Sequence, residues 1–203
     1  GTVRLIFQPA EEGGAGATLM SKEGTLANAE EIFGMHVDPT LTVGIISSRE
    51  GPFYAATGRF KATIDDKGEH SEFPHMNELI SRETDPLDSQ VIESQALVHK
   101  CVASVDFLEH IPTYPAVEND EILHNDVKKV GATLLGSNNV KTANKIMAGE
   151  DFSFYRQIIP GVMFPIGVRD GKTGPIRSVH SPFFTLDEAV LPVGAALHTA
   201  IAE

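Results

Sequence analysis

The 203-residue sequence contains a single cysteine and few basic side chains, and it has no long apolar run. One cysteine excludes an internal disulfide framework. Sixteen Lys and Arg against 28 Asp and Glu give a formal net charge of −12, which argues against nucleic acids and anionic membranes as partners. No stretch approaches the roughly 18 apolar residues of a membrane-spanning helix. With these classes excluded, the length and composition indicate a globular protein of one medium domain, with room for a small insert.

Short apolar runs alternate with segments of helical periodicity, which predicts an α/β fold with a mainly parallel sheet flanked by helices. The predicted strands are Val3–Phe7, Glu31–Val37, Thr42–Ser47, Gly58–Asp65, Cys101–Leu108 and Val162–Gly167. The predicted helices are Ala15–Lys22, Glu118–Leu135, Glu150–Ile158 and Leu186–Ala202. Pro165 within the last strand indicates an edge position or a distortion.

Two adjacent carboxylates, Glu11 and Glu12, follow the first predicted strand and precede a glycine-rich turn. Neighbouring side chains on an extended backbone point to opposite sides, so one carboxylate can bind a metal while the other handles a proton. The second predicted strand carries His36. Since carboxylate and imidazole both suit zinc, manganese and similar ions, the pattern predicts a metal site where these strands end.

Each of these features also has an ordinary structural explanation. An acidic pair after a strand is commonly a solvated turn, and a single histidine is commonly structural, because ionised groups lie mostly at the surface. Glu150 and Asp151, before a predicted helix, suit capping as well as a site-lining role. Cys101 lies in an alternating strand and is expected to pack as a small apolar side chain.

Five segments occur in one order along the chain and carry a resemblance that covers nearly all of it. They are Phe7-Gln8-Pro9-Ala10-Glu11-Glu12-Gly13, Gly34-Met35-His36-Val37, Lys67-Gly68-Glu69-His70-Ser71, Gly149-Glu150-Asp151-Phe152-Ser153-Phe154-Tyr155 and His180-Ser181-Pro182-Phe183-Phe184. Together they resemble the amidohydrolase branch of the two-metal aminoacylases and carboxypeptidases. Within that branch, the chain resembles the plant hydrolases of auxin–amino-acid conjugates in particular.

This resemblance implies a role for each matching residue. Glu11 would be the general base, and the metal ligands would be Glu12, His36 and His180. His70 would be a second catalytic residue, stabilising the oxyanion from a satellite domain, with an exposed loop histidine as the alternative. The cofactor would be divalent manganese or zinc, one or two ions, and the substrate a small N-acyl amino acid.

The chain also departs from the family pattern. The family's Cys-x-His segment, which supplies two metal ligands, has no counterpart, and the satellite domain is shortened. We expect an incomplete catalytic domain at 1–51 and 113–203 and a truncated satellite or dimerisation domain at 52–112. The function implied is cleavage of the amide bond of N-acyl amino acid conjugates. The alternatives are an inactive fragment or splice form and a general N-acyl amino acid hydrolase, and a homodimer stays open.

Localisation follows from the resemblance alone. Plant relatives imply the lumen of the endoplasmic reticulum, although this chain shows no secretory signal and no retention tetrapeptide at its end, Ala200-Ile201-Ala202-Glu203. Because the chain opens at Gly1 and not at a methionine, we expect that it does not start at a natural beginning.

Overall fold

A computed structural model of the chain describes residues 1–66, 79–81, 86–171 and 175–203. The helices are α1 (Glu11–Gly14), α2 (Gly16–Lys22), α3 (Pro86–Val98), α4 (Glu121–Leu135), α5 (Phe152–Arg156) and α6 (Val190–Ile201). The strands are β1 (Ile32–Thr42), β2 (Ile46–Ser48), β3 (Gly51–Tyr54), β4 (Gly58–Asp66), β5 (Leu79–Ser81), β6 (Cys101–Asp106), β7 (Val117–Asn119), β8 (Val140–Thr142) and β9 (Gly161–Arg169).

A four-stranded sheet in the order β1-β9-β2-β8 organises the larger part of the chain. β1 runs parallel to β9 and β2 runs parallel to β8, while β2 and β9 meet antiparallel through the single pair Ile46 and Ile166. The prediction of a mainly parallel α/β layer is therefore confirmed.

β9 separates two apolar cores because its side chains alternate between the faces of the sheet. Val162, Phe164 and Ile166 pack with buried residues of α4 and α6, such as Val127 and Leu197. On the other face, Met163 packs with a cluster that includes residues of α2 and α5. Such a strand is buried on both faces and reads as a continuous apolar run.

Pro165 lies in this interior strand and pairs in continuous register with His36 of β1, so the predicted edge position is wrong and β9 has no register shift at the proline. The N–H of Gly167 donates to Ile45 O at 2.8 Å, on the β2 side of β9. Because N–H groups two residues apart point the same way along a strand, the nitrogen of Pro165 also faces β2. Pairing is already reduced to one residue pair on that side, so a missing donor there disrupts little.

A second sheet lies between residues 58 and 106. β4 pairs antiparallel with β5 and with β6, and α3 packs against β6. The helix α3 was not foreseen, because Asp85-Pro86-Leu87 reads as a turn, whereas Pro86 is the first residue of the helix, a position that proline favours. Division into domains at 52–112 stays a prediction.

The predicted strand Val3–Phe7 is wrong, since residues 1–10 form no regular secondary structure. Val3, Leu5 and Phe7 are 64%, 74% and 85% exposed, while Ile6 packs against the core that contains Met163. The alternation of a strand is present, but no described strand lies beside it to pair with its N–H and C=O groups.

Several predicted boundaries also moved. The predicted strands Glu31–Val37 and Thr42–Ser47 leave a turn at Asp38-Pro39, yet β1 continues through these residues with a register shift before Thr42, and β2 begins only at Ile46. The predicted helix 150–158 is shorter and spans Phe152–Arg156. The predicted helix Leu186–Ala202 is also shorter and spans Val190–Ile201. Within the described part of the chain, none of the helices combines the length and apolar character needed to cross a membrane.

Candidate active site

The acidic pair lies on a strained turn rather than at the end of a strand. Ala10 and Ala15 both have left-handed backbone, with φ of 59° and 49°, which costs an L-residue about 1–2 kcal/mol each. Only glycine fits at position 16, because a Cβ there would lie 1.8 Å from the carbonyl oxygen of Pro9. Such local strain persists only where surrounding contacts fix it.

The extended backbone on which the prediction of opposite directions rested is wrong, because Glu11 and Glu12 lie in the short helix α1, but the two side chains differ in exposure. Glu11 is partly buried and Glu12 is exposed. Glu12 Oε1 lies 3.3 Å from Nδ1 of His180, which follows β9 by a long loop. Two of the three predicted metal ligands, 168 positions apart in sequence, are therefore in contact.

The ring of His36 is oriented by a backbone carbonyl. Its Nδ1 lies 2.8 Å from the carbonyl oxygen of Val37, and a carbonyl only accepts, so Nδ1 donates. Metal-binding histidines are commonly oriented in this way, with Nε2 as the ligand atom of the neutral ring. The ring centroid is 6.2 Å from that of Tyr54.

Three carboxylates converge beside these groups, since ligand atoms of Glu11, Glu150 and Asp151 lie within 4.8 Å of one another. Burial raises the pKa of Glu11, and the charges of Glu12 and Asp151 raise it further, while nearby His36 lowers it. Burial and the charge of Glu11 raise the pKa of Glu150 to about 8. Glu11 and Glu150 therefore keep their protons to a higher pH than isolated carboxylic acids do.

Asp151 holds the turn in place and does not cap α5. It makes no side-chain capping bond, although it occupies the capping position. Its carboxylate accepts from Nε2 of Gln8, at 2.7 Å to each oxygen, and from the N–H of Ala17 at 3.0 Å. Of the two explanations for this residue, the site-lining one agrees with these contacts. Sequence reasoning missed Gln8, because no spacing rule links it to a residue 143 positions away.

The second predicted catalytic residue, His70, lies outside the described residues. Of the other predicted residues, Glu12 and His180 are in contact, and His36 lies close enough to Glu11 to lower its pKa. The part of the chain that the structure describes does not bring Glu12, His36 and His180 together as one ligand group, and their roles stay predictions. As a donor set, one carboxylate and two imidazoles suit a zinc or manganese ion with an open coordination position. Glu12, His36 and His180 therefore fit the cofactor that the sequence implies.

An α/β layer that carries carboxylate and imidazole side chains near one another is compatible with a metal-dependent hydrolase. The sequence profile of Peptidase family M20/M25/M40 matches residues 1–203. The chain belongs to this family.

Named relatives agree with this assignment. The chain is 38% identical to IAA-amino acid hydrolase ILR1-like 4 of Arabidopsis thaliana over 261 positions, covering 100% of the chain and 59% of that protein. It is 30% identical to N-acetylcysteine deacetylase of Bacillus subtilis, covering 100% of the chain and 66% of that protein. The chain therefore spans about three fifths of the length of the Arabidopsis relative.

A solved structure shares the fold. The YXEP protein of Bacillus subtilis, described as a dinuclear metal-binding peptidase of the M20 family, matches with a TM-score of 0.69 at 27% identity. The match covers 97% of this chain and 63% of that one. Members of the family to which the chain belongs thus include proteins that bind two metal ions.

Proposed function

We propose that the chain is the core of a metal-dependent amidohydrolase that cleaves N-acyl amino acids. One observation carries this proposal: Glu12 and His180 are 3.3 Å apart, directly beside the partly buried carboxylate of Glu11. A metal-binding pair next to an uncoordinated carboxylate is the minimum that metal-assisted hydrolysis needs.

Each of the four predicted site residues that the structure describes has a defined task in this reaction. Glu12, His36 and His180 would hold the divalent ion, which would lower the pKa of a water molecule and polarise a carbonyl group. Glu11 accepts a proton from the attacking water as the water oxygen bonds to the carbonyl carbon. The same carboxylic acid then returns the proton to the amide nitrogen as the C–N bond breaks. The products are a carboxylic acid and a free amino acid.

For the substrate we propose auxin-type conjugates, in which an aromatic acyl group is linked to an amino acid. This rests on the names of the Arabidopsis relatives, which are 35–38% identical to the chain. A general N-acyl amino acid hydrolase is the second candidate, favoured by the deacetylases of Bacillus subtilis. The ion is proposed to be manganese or zinc, the protein a homodimer or a monomer, and the location the lumen of the endoplasmic reticulum.

The test compares Glu11→Gln with Glu12→Gln in purified protein supplied with Mn²⁺ or Zn²⁺. Glu11→Gln should lower turnover of an indoleacetyl–amino-acid conjugate by at least about 100-fold while metal content is kept. Glu12→Gln should lose both the turnover and the bound metal. Glu31→Gln is the matched control, because Glu30 and Glu31 form another adjacent acidic pair, which is exposed and outside the site.

Two outcomes would contradict the proposal. Wild-type protein that takes up neither metal would support the inactive fragment. Turnover that persists in Glu11→Gln would remove the general base from this position. Equal rates for indoleacetyl and simple acetyl conjugates would favour the general hydrolase over the auxin-specific one.

A further inference from the structure

The chain leaves the main α/β layer and returns to it at one hydrogen-bonded point. Thr57, just before β4, and Tyr114, after β6, face each other as an antiparallel bridge. The N–H of Thr57 donates to Tyr114 O at 2.9 Å, and the N–H of Tyr114 donates to Thr57 O at 2.8 Å. We call this residue pair the crossing. It joins the segment that holds β4, β5, α3 and β6 to the rest of the chain.

The side chain of Tyr114 extends from the crossing to the catalytic turn. Its hydroxyl donates to the carbonyl oxygen of Glu11 at 2.8 Å and accepts from the N–H of Ala15 at 3.1 Å. The residue is buried, and its ring packs edge-on against Phe154 with centroids 5.6 Å apart. One hydroxyl therefore fixes both ends of the turn that displays Glu11 and Glu12.

Two further contacts reach the site from the same segment. A Cβ at Gly149 would lie 2.2 Å from Oγ1 of Thr57, so the loop that presents Glu150 is pressed against the crossing. A Cβ at Gly13 would lie 3.0 Å from guanidinium nitrogens of Arg59, so β4 also touches the turn. Both acidic loops of the site thus rest on the crossing and the start of β4.

We propose that Tyr114 is a positioning residue that holds the strained Glu11–Ala15 turn and couples it to the crossing. The proposal builds on the proposed function, because that function gives the turn its task. Ala10 and Ala15 resist left-handed backbone, so the turn relaxes unless bonds outside it fix both ends. The Tyr114 hydroxyl makes two such bonds, and Asp151 makes another at Ala17.

The direct test is hydrogen exchange of the Ala15 amide, measured by NMR in metal-free wild type and in Tyr114→Phe. Phenylalanine keeps the ring packing and removes only the hydroxyl. Loss of a hydrogen bond worth about 1 kcal/mol should speed local exchange about five-fold. Unchanged exchange at Ala15 would overturn the proposal.

The matched control is Tyr155→Phe. Tyr155 is also buried, and its hydroxyl contacts only the sulfur of Met20, at 3.7 Å, among the hydrogen bonds of the described residues. This change should leave exchange at Ala15 within two-fold of wild type. Faster exchange at Ala15 in both variants would mean that loss of any buried hydroxyl destabilises this region. That result would also overturn the proposal.

The coupling is tested by adding Zn²⁺ and following the amides of Thr57 and Tyr114. Coupling free energies are reciprocal, so an ion that fixes the turn should slow exchange at the crossing in wild type. In Tyr114→Phe the ion should bind several-fold more weakly and leave the crossing amides unchanged. Equal protection of these amides in both proteins would overturn the coupling. Absence of Zn²⁺ binding to wild type would refute the proposed function, and Ala15 exchange would still decide the role of Tyr114.

Discussion

β9 and the segment Val3–Phe7 are both short apolar runs, but they have opposite environments. Residues 161–168 of β9 are all buried, with strands on either side and helices on both faces. In the N-terminal segment, Val3, Leu5 and Phe7 are exposed, and only Ile6 meets a core. Apolar composition alone therefore did not place a segment in the sheet. A strand forms where neighbouring strands can satisfy its N–H and C=O groups.

The comparison continues at the turn that follows the segment. Residues 1–7 have few fixed contacts, yet Gln8, Glu11, Ala15 and Ala17 are held by Asp151 and Tyr114. The chain therefore passes within a few residues from a segment with few contacts to one that is held by hydrogen bonds. It occurs where the proposed chemistry begins, as expected if the contacts serve to preorganise the acidic pair.

The largest expected effect is the difference in unfolding free energy between two phenylalanine-to-alanine variants. Phe164→Ala removes a side chain that is 0% exposed and should lower the free energy of unfolding by about 3–5 kcal/mol, because a cavity replaces packed atoms. Phe7→Ala changes a side chain that is 85% exposed and should shift it by less than about 0.5 kcal/mol. Urea denaturation measures both. A comparable loss in the two variants would show that another surface covers the N-terminal segment in solution.

A smaller effect is expected from Gly16→Ala, which tests how tightly the turn is built. The new methyl group would lie 1.8 Å from the Pro9 carbonyl oxygen, and a backbone atom yields only if the turn moves. We expect a loss of about 2 kcal/mol in urea denaturation. Gly194→Ala in α6 is the control, since its methyl group would meet Met35 at an ordinary 3.4 Å. A stable Gly16→Ala protein would show that the turn is loose.

The buried region should also respond to pH through His124. Its Nδ1 lies 2.8 Å from the hydroxyl of Ser48 in β2, and both residues are buried. Burial lowers the pKa of His124, and the charge of Lys128 lowers it further, while Glu50 and Glu121 oppose this. Below the ordinary histidine pKa of 6.5 the unfolded chain binds a proton that the folded chain resists. Stability from this group is therefore full above pH 6.5 and falls as the pH drops.

His124→Gln isolates that contribution. The free energy of unfolding of wild type should fall more steeply between pH 7.5 and 5.5 than that of the variant, as measured by urea denaturation at each pH. Glu150, whose raised pKa of about 8 acts in the opposite direction, is present in both proteins and cancels in the difference. Parallel pH profiles would show that His124 titrates normally in the folded protein.

The smallest expected effect is a gain. Ala10→Gly relieves left-handed backbone at φ 59° and should stabilise the protein by up to about 1 kcal/mol, or leave it unchanged where the added freedom of the unfolded chain offsets the relief. Ala195→Gly, at an exposed position of helix α6, should cost about 0.5–1 kcal/mol. Thermal unfolding of the two variants gives the sign of each change in stability. A loss at Ala10 as large as that at Ala195 would contradict the strained turn.

Parts of this protein could be predicted because their causes are local. Helix α4 follows from apolar residues at helical spacing, and Asp120 caps its first turn through Ile122 and Leu123. Strands β4 and β6 follow from alternation. The motif around Glu11 and Glu12 identified the acidic pair, but not the helical turn on which it lies. The helix α3 could not be foreseen, because its residues have weak periodicity and follow a dipeptide that is also typical of turns.

The sequence by itself determined the α/β class, the acidic pair and the histidines that accompany it, because periodicity and motif order are properties of the chain alone. Only the tertiary structure decided that Val3–Phe7 is not a strand, that Pro165 lies inside the sheet and that Asp151 and Tyr114 bond to the segment around Glu11 and Glu12. These outcomes depend on which distant segments come to lie side by side. Hydrogen bonds between residues about 100 or more positions apart leave no spacing in the sequence to be read.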